Sequence, residues 1–299
     1  MTAPLFNPIK VPLTILFLLG LCACGVTMGS NPTPGPTANP TVTPTLTATP
    51  IPPAVLVNGE EISQAELDAE LARYQQSQTG MGNTVSPETA RQAVMTDMVD
   101  TLLLAQGAST YGYSVDDAAL QSRIDNLISQ VGGADALKAW ESAHSYTDVD
   151  FRSDLRRQIA ASWMRDRVTA SVPATADQVH VKQILLYNAS DAQQALGDLQ
   201  SGTTFDDLAA QYDSVTGGDL GWFPQGYLPD PAIETAAFAL QPGQYSAVIQ
   251  DETGFHILYL VERDPARPLS PDALLTLQAR ALQDWLAQRR KESTITYAP

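Results

Sequence analysis

Cysteine is almost missing from this chain of 299 residues: there are two, Cys22 and Cys24, and none follows them. An internal disulfide framework is therefore excluded for the remainder of the chain. Basic residues are scarce as well, 17 Lys and Arg against 33 Asp and Glu, for a net charge of −16. Broad contact with nucleic acid needs clustered cations, so no nucleic-acid partner is expected. Three histidines occur, His144, His180 and His256, without metal-ligand spacing. Neither a GxSxG sequence nor a phosphate-cradling glycine loop is present. No metal and no cofactor is expected. What is present, 44% apolar residues, is ordinary for a globular protein and enough for a buried core.

Long apolar runs are missing too. Val11 to Leu21, preceded by Lys10, gives about eleven apolar residues, too few to span a bilayer as a mature helix but suited to the core of a signal peptide. Leu21-Cys22-Ala23-Cys24 resembles a bacterial lipobox, with Cys24 expected to carry the lipid and Cys22 to be lost on cleavage. Residues 1–24 are thus read as a lipoprotein signal, and the body as extracytoplasmic, lipid-anchored to a bacterial cell membrane. Charge vanishes from Ser30 to Pro53, where Pro and Thr dominate. Segment 25–53 is read as an extended linker, whose two dozen uncharged residues reach roughly 70 Å at about 3.1 Å each.

Beyond the linker, Ala54 to Val57 reads as a strand before an Asn58-Gly59 turn. Ser63 with Glu66 fits a capping box. Helices are expected from Ser86-Pro87 to about Tyr111, from Ser114 with Asp117, and from Thr147 with Asp150 to about Thr169, with Gly112 and Gly132-Gly133 as stops. From Pro173 the period changes. Gln178 to Tyr187 reads as a central strand, Ser190 and Thr204 cap two helices, and a glycine-rich loop, TGGDLGWF (216–223), leads to a short helix near Ile233 to Ala239. Strands are expected at Tyr245 to Gln250 and in GFHILYLVE (254–262). Ser270-Pro271 then opens a helix to Lys291 with Leu274, Leu277, Ala281, Trp285 and Leu286 along one side, a face that needs a partner among the earlier helices.

GGDLGWF (217–223), AAFAL (236–240), PGQYSAVI (242–249) and GFHILYLVE (254–262), in that order and spacing, resemble the parvulin-type peptidyl-prolyl cis/trans isomerase domain over about residues 178 to 263. The flanking VNGEEIS, helices and final helix are similar to extracytoplasmic foldases and chaperones of the SurA and PrsA type. The resemblance implies an α+β chain: a mainly helical body, residues 54–172 with the C-terminal helix of 268–299 packed on it, and an inserted parvulin-type antiparallel-sheet domain, 173–267. Its expected partners are unfolded or partly folded exported polypeptides with X-Pro bonds.

Rotation about an X-Pro bond meets a barrier of about 18–20 kcal/mol because amide resonance must be broken. No bond is cleaved and no proton need move, so a pocket for the proline ring and polar groups favouring the twisted amide suffice. The resemblance implies two histidines on adjacent central strands. His256 matches the second, but Gln183 stands where the first is expected. His180, an odd number of residues away, lies on the other strand face and cannot stand in. The family's acidic or thiol residue before the glycines is matched by Asp213. Its proline pocket falls on Leu228 and Ile233, with Phe223 and Phe238 lining the same cleft, and its hydroxyl residue falls on Thr253. Two functions stay open: an isomerase that assists folding of exported proteins, and a non-catalytic chaperone or binding module with the same fold.

Overall fold

The computed structural model describes residues 53–298. The apolar run, Cys22, Cys24 and nearly all of the Pro/Thr-rich segment lie outside them. No helix among the described residues is long and apolar enough to cross a membrane.

The helical body opens with a small sheet. Strand β1 (Val55–Val57) turns through Asn58 and Gly59, both with positive φ, into β2 (Glu60–Ile62). Two left-handed residues in succession give a tight turn whose twist matches its strands. Five helices follow: α1 (Gln64–Gly80), α2 (Pro87–Thr110), α3 (Asp117–Val131), α4 (Ala134–Ala143) and α5 (Asp148–Ala170). Ser63 and Glu66 form the reciprocal capping box, and Ser86 and Thr147 cap their helices. Two details differ from expectation. Asp116, not Ser114, caps α3, because its carboxylate accepts from the Ala119 N–H. Helix α4 was not expected; Gly132 at φ 94° and Gly133 at φ 123° turn the chain sharply enough to start a second helix at once.

The sheet domain follows in the order β3 (Thr175–Leu186), α6 (Ala189–Gln200), α7 (Phe205–Tyr212), β4 (Asp219–Pro224), α8 (Pro231–Ala239), β5 (Ile249–Gln250) and β6 (Phe255–Pro268). Its strands lie β4-β3-β6-β5, all antiparallel. Alternation divides each central strand between two cores. Ile184, Leu186 and Ile257 pack with α6 and α7, whereas Val179, Val181, Leu258 and Leu260 pack with Phe223, Ile233 and Ala237. The second half of the expected glycine loop is strand β4. Of the strand expected from Tyr245, only Ile249–Gln250 forms, with one isolated bridge from Tyr245 to Tyr259. Asn188 rather than Ser190 caps α6, accepting from the Asp191 N–H.

The last elements are α9 (Pro271–Glu292) and β7 (Ile295–Tyr297). Strand β7 pairs with β1, completing a three-stranded sheet in the order β2-β1-β7. Helix α9 lays Ala281, Leu282, Trp285 and Leu286 on a cluster of Leu104, Ala108, Ala161, Met164 and Val168 from α2 and α5. Arg290 adds an ion pair to Asp100 at 2.6 Å. Leu277 turns elsewhere, against Gly226 of the sheet domain. The chain is thus α+β, a helical body closed by its C-terminal helix and carrying an antiparallel-sheet domain between α5 and α9.

Trp285 seats directly on Gly107, where an added Cβ would fall 2.7 Å from the indole ring. Gly107→Ala is expected to lower stability by about 1–2 kcal/mol in denaturant titration, since overpacking outweighs the gain in helix propensity of roughly 1 kcal/mol. A stability equal to the parent's would show that Trp285 is not held there.

Candidate active site

The site grows from the pairing of β3 with β6. In the register His256 lies opposite Leu185 and Leu258 opposite Gln183, so Gln183 and His256 are diagonal neighbours on one sheet face. Their side chains meet: Gln183 Oε1 is 3.2 Å from His256 Nδ1. The other ring nitrogen, Nε2, is 3.1 Å from Thr253 Oγ1 and 3.0 Å from Asp251 Oδ1. The His256 side chain is 6% exposed and that of Asp251 is 11% exposed, so the contact is largely withdrawn from water.

Two glycines allow the backbone to close around this pair. Gly218, at φ 72°, lies so near β3 that an added Cβ would come within 2.0 Å of the Gln183 carbonyl oxygen, and its own carbonyl accepts the Gln183 N–H at 2.8 Å. Gly254 ends the turn between β5 and β6, where a Cβ would stand 2.4 Å from the Leu186 oxygen. The glycine motif therefore sets the strand position of Gln183.

Asp251 occupies that turn. Its Oδ1 accepts from the Thr253 N–H and hydroxyl, both at 2.7 Å, and from the Gly254 N–H at 2.9 Å. Burial pushes its carboxyl pKa upward, but hydrogen bonds from the Thr253 hydroxyl, the His256 ring and the two backbone N–H groups outweigh it and bring it down to about 2. The sequence reading missed this residue. Its signal was the spacing Asp-x-Thr-Gly, an acid able to hydrogen-bond the backbone two and three residues on.

The other expected residues are distributed differently. Thr253 does reach the His256 ring. Leu228 and Phe238 are half-buried over the α8-side core, and Glu234 Oε1 holds the loop by accepting from the N–H groups of Tyr227 and Leu228 at 2.9 and 3.1 Å. Phe223 and Ile233 are only 1% and 6% exposed. They lie beneath Leu228 and Phe238 in the same cluster, with Phe223 edge-on to Phe238. Asp213 is not joined to the pair. It ends α7, fully given to its own loop, accepting from the N–H groups of Val215 and Thr216 and from the Thr216 hydroxyl. Those bonds, the Thr216 hydroxyl first, hold its carboxyl below the usual range. His180 turns to Asp219 Oδ1 at 2.8 Å and stacks on Trp222. Among the described residues no cluster of His, Cys, Asp and Glu could hold a metal ion.

Comparison with known proteins agrees with this architecture. Residues 187–262 match the model of the PPIC-type PPIase domain and residues 45–138 that of the SurA-like N-terminal domain. The chain is 27% identical over 245 residues to the chaperone SurA of Methylobacillus flagellatus, covering 70% of this chain and 56% of that protein. It is 26% identical over 177 residues to the foldase protein PrsA 2 of Bacillus cereus, covering 56% of this chain and 60% of the relative. The chain thus spans less than two thirds of the length of these curated relatives. A crystal structure of the peptidylprolyl isomerase PrsA from Bacillus anthracis aligns with a TM-score of 0.41 at 22% identity, over 66% of this chain and 96% of that one. The chain thus matches two domain models, a SurA-like N-terminal domain and, within the sheet domain, a PPIC-type PPIase domain.

Two outcomes are expected. Gly218→Ala should cost at least about 2 kcal/mol by denaturant titration, because the left-handed backbone and the collision with Gln183 act together; a cost under half of that would contradict the close packing. Asp251 is depressed in the fold, so its contribution is complete above its unfolded value of 3.8 and is lost as pH falls toward 2. Melting curves of the parent and Asp251→Asn should therefore converge across that acid window, and parallel curves would count against the assignment.

Proposed function

We propose that this protein is a parvulin-type peptidyl-prolyl cis/trans isomerase that assists the folding of exported polypeptides outside the cytoplasm. The observation that supports this reading best is the Gln183–His256 contact of 3.2 Å on adjacent central strands, within a domain type named for this reaction. Gln183 carries the chemistry as a fixed amide. As an X-Pro amide twists, resonance is lost and its nitrogen gains lone-pair density, which a positioned N–H donor stabilises more in the transition state than in the planar ground state. The Gln183 amide has one oxygen and two N–H bonds, so whichever end meets the His256 ring, at least one N–H remains for that task. Leu228 and Phe238 supply the apolar surface for the proline ring. His256 acts as a positioning residue, since both of its ring nitrogens face protein groups. The clients are unfolded chains with X-Pro bonds, and Cys24, after the apolar run, is the proposed point of lipid attachment.

Gln183 in the place of a family histidine favours a second reading, a chaperone that grips proline-containing chains without isomerising them. A protease-free isomerisation assay on the full chain separates the two. The parent should accelerate exchange of an X-Pro peptide, and His256→Ala should lower kcat/KM by about tenfold or more, a typical loss for a displaced polar group at an active centre. An inactive parent that gains activity in Gln183→His would overturn the isomerase reading.

A further inference from the structure

We propose that Asp251 is the positioning residue of this centre: its carboxylate holds the His256 ring so that Nε2 carries the proton and Nδ1 is presented to Gln183. The inference rests on reading Gln183 and His256 as the isomerase centre. It follows from a count of protons. Thr253 spends its hydroxyl proton on Asp251, at 2.7 Å, and so offers His256 only a lone pair. An ionised carboxylate accepts and never donates, so the hydrogen between Asp251 and His256, 3.0 Å apart, belongs to Nε2. The tautomer is thereby set from outside the ring.

The remaining nitrogen meets Gln183, which serves either ring state. Its oxygen accepts from Nδ1–H of an imidazolium; with amide oxygen and nitrogen exchanged, one N–H donates to the lone pair of a neutral ring and the other N–H stays free. A carboxylate on one side and an amide on the other therefore satisfy His256 completely. This offers a physical reason for glutamine at position 183, where the family resemblance implies the first histidine: the ring of His256 is braced here from its opposite side.

The scaffold holds Asp251 in place independently of the histidine. Gln250, the last residue of β5, pairs with Phe255 of β6, and Ile249 with His256. The Asp251 N–H donates to the Gly254 oxygen at 3.0 Å, closing the turn, while Oδ1 binds the N–H groups of Thr253 and Gly254. Turn and ring share one carboxylate oxygen.

The test uses the full chain. Nitrogen-15 spectra of the His256 ring should show one tautomer protonated at Nε2 in the parent and a mixture in Asp251→Asn. By analogy with carboxylate-held histidines at metal sites, kcat/KM should fall about tenfold in that variant. In a Gln183→Ala background the same change should cost less than about twofold, because the two residues act through one ring. Asp251→Ser, which keeps a turn-capping oxygen without the charge, guards against simple loss of the turn and should reproduce the tautomer change. A single Nε2–H tautomer and an unchanged kcat/KM in both variants would overturn the proposal. If the parent shows no isomerisation but its ring tautomer still changes in Asp251→Asn, the isomerase reading falls and the positioning role stands.

Discussion

The antiparallel pairing of β3 with β6 is the constraint on which the rest depends. It runs from Thr175 opposite Pro268 to Leu186 opposite Phe255, the full length of both strands. One end is the neck of the domain. There the outgoing and returning chain lie side by side, tied by the Leu269 N–H on the Ala174 oxygen and by the Gln178 amide on the oxygens of Arg267 and Pro268. The other end brings Gln183 and His256 together. A single ladder thus joins the sheet domain to the helical body, divides two cores, and builds the polar centre. Because side chains alternate with a period of two, a slip of β3 by one residue would send Gln183 to the α6–α7 face, away from His256, and break all three at once.

That arrangement suits a reaction without proton transfer. Turning an X-Pro amide demands a rigid apolar seat and dipoles that do not have to reorganise as the amide twists. A histidine withdrawn from water, with a carboxylate and a hydroxyl on one nitrogen and an amide on the other, is poorly placed as a base but well placed as a strut. On the proposed reading a glutamine can stand where the family resemblance implies a histidine: the site asks for hydrogen-bond geometry, and glutamine offers both donor and acceptor.

Much of this was legible from the residues. The capping box and N-caps, the proline-started helices and the apolar face of the last helix are strong and local signals, and they place α1, α2, α5 and α9 closely. The glycine motif and the GFHILYLVE strand carried the domain type. The short strands β2 and β7 escaped, because Glu60-Glu61-Ile62 and Ile295-Thr296-Tyr297 are too brief for a period to show and exist only through pairing with β1. Asp251 escaped for a related reason. Its role depends on a hairpin that brings a turn acid back onto a strand histidine, a contact set by tertiary geometry. The hydrogen bonds of Asp213 to its own loop, from Val215 and Thr216, were likewise not legible from its position before the glycines. The depth of Phe223 was not legible, because an aromatic beside a glycine motif reads the same whether it points in or out.

The central claim is that fixed polar groups, and not a moving proton, carry the chemistry at Gln183 and His256. The solvent deuterium isotope effect on kcat/KM for an X-Pro peptide tests it most directly. A ratio close to one is the result this account requires; a ratio above about two would place a proton in flight in the transition state and contradict it.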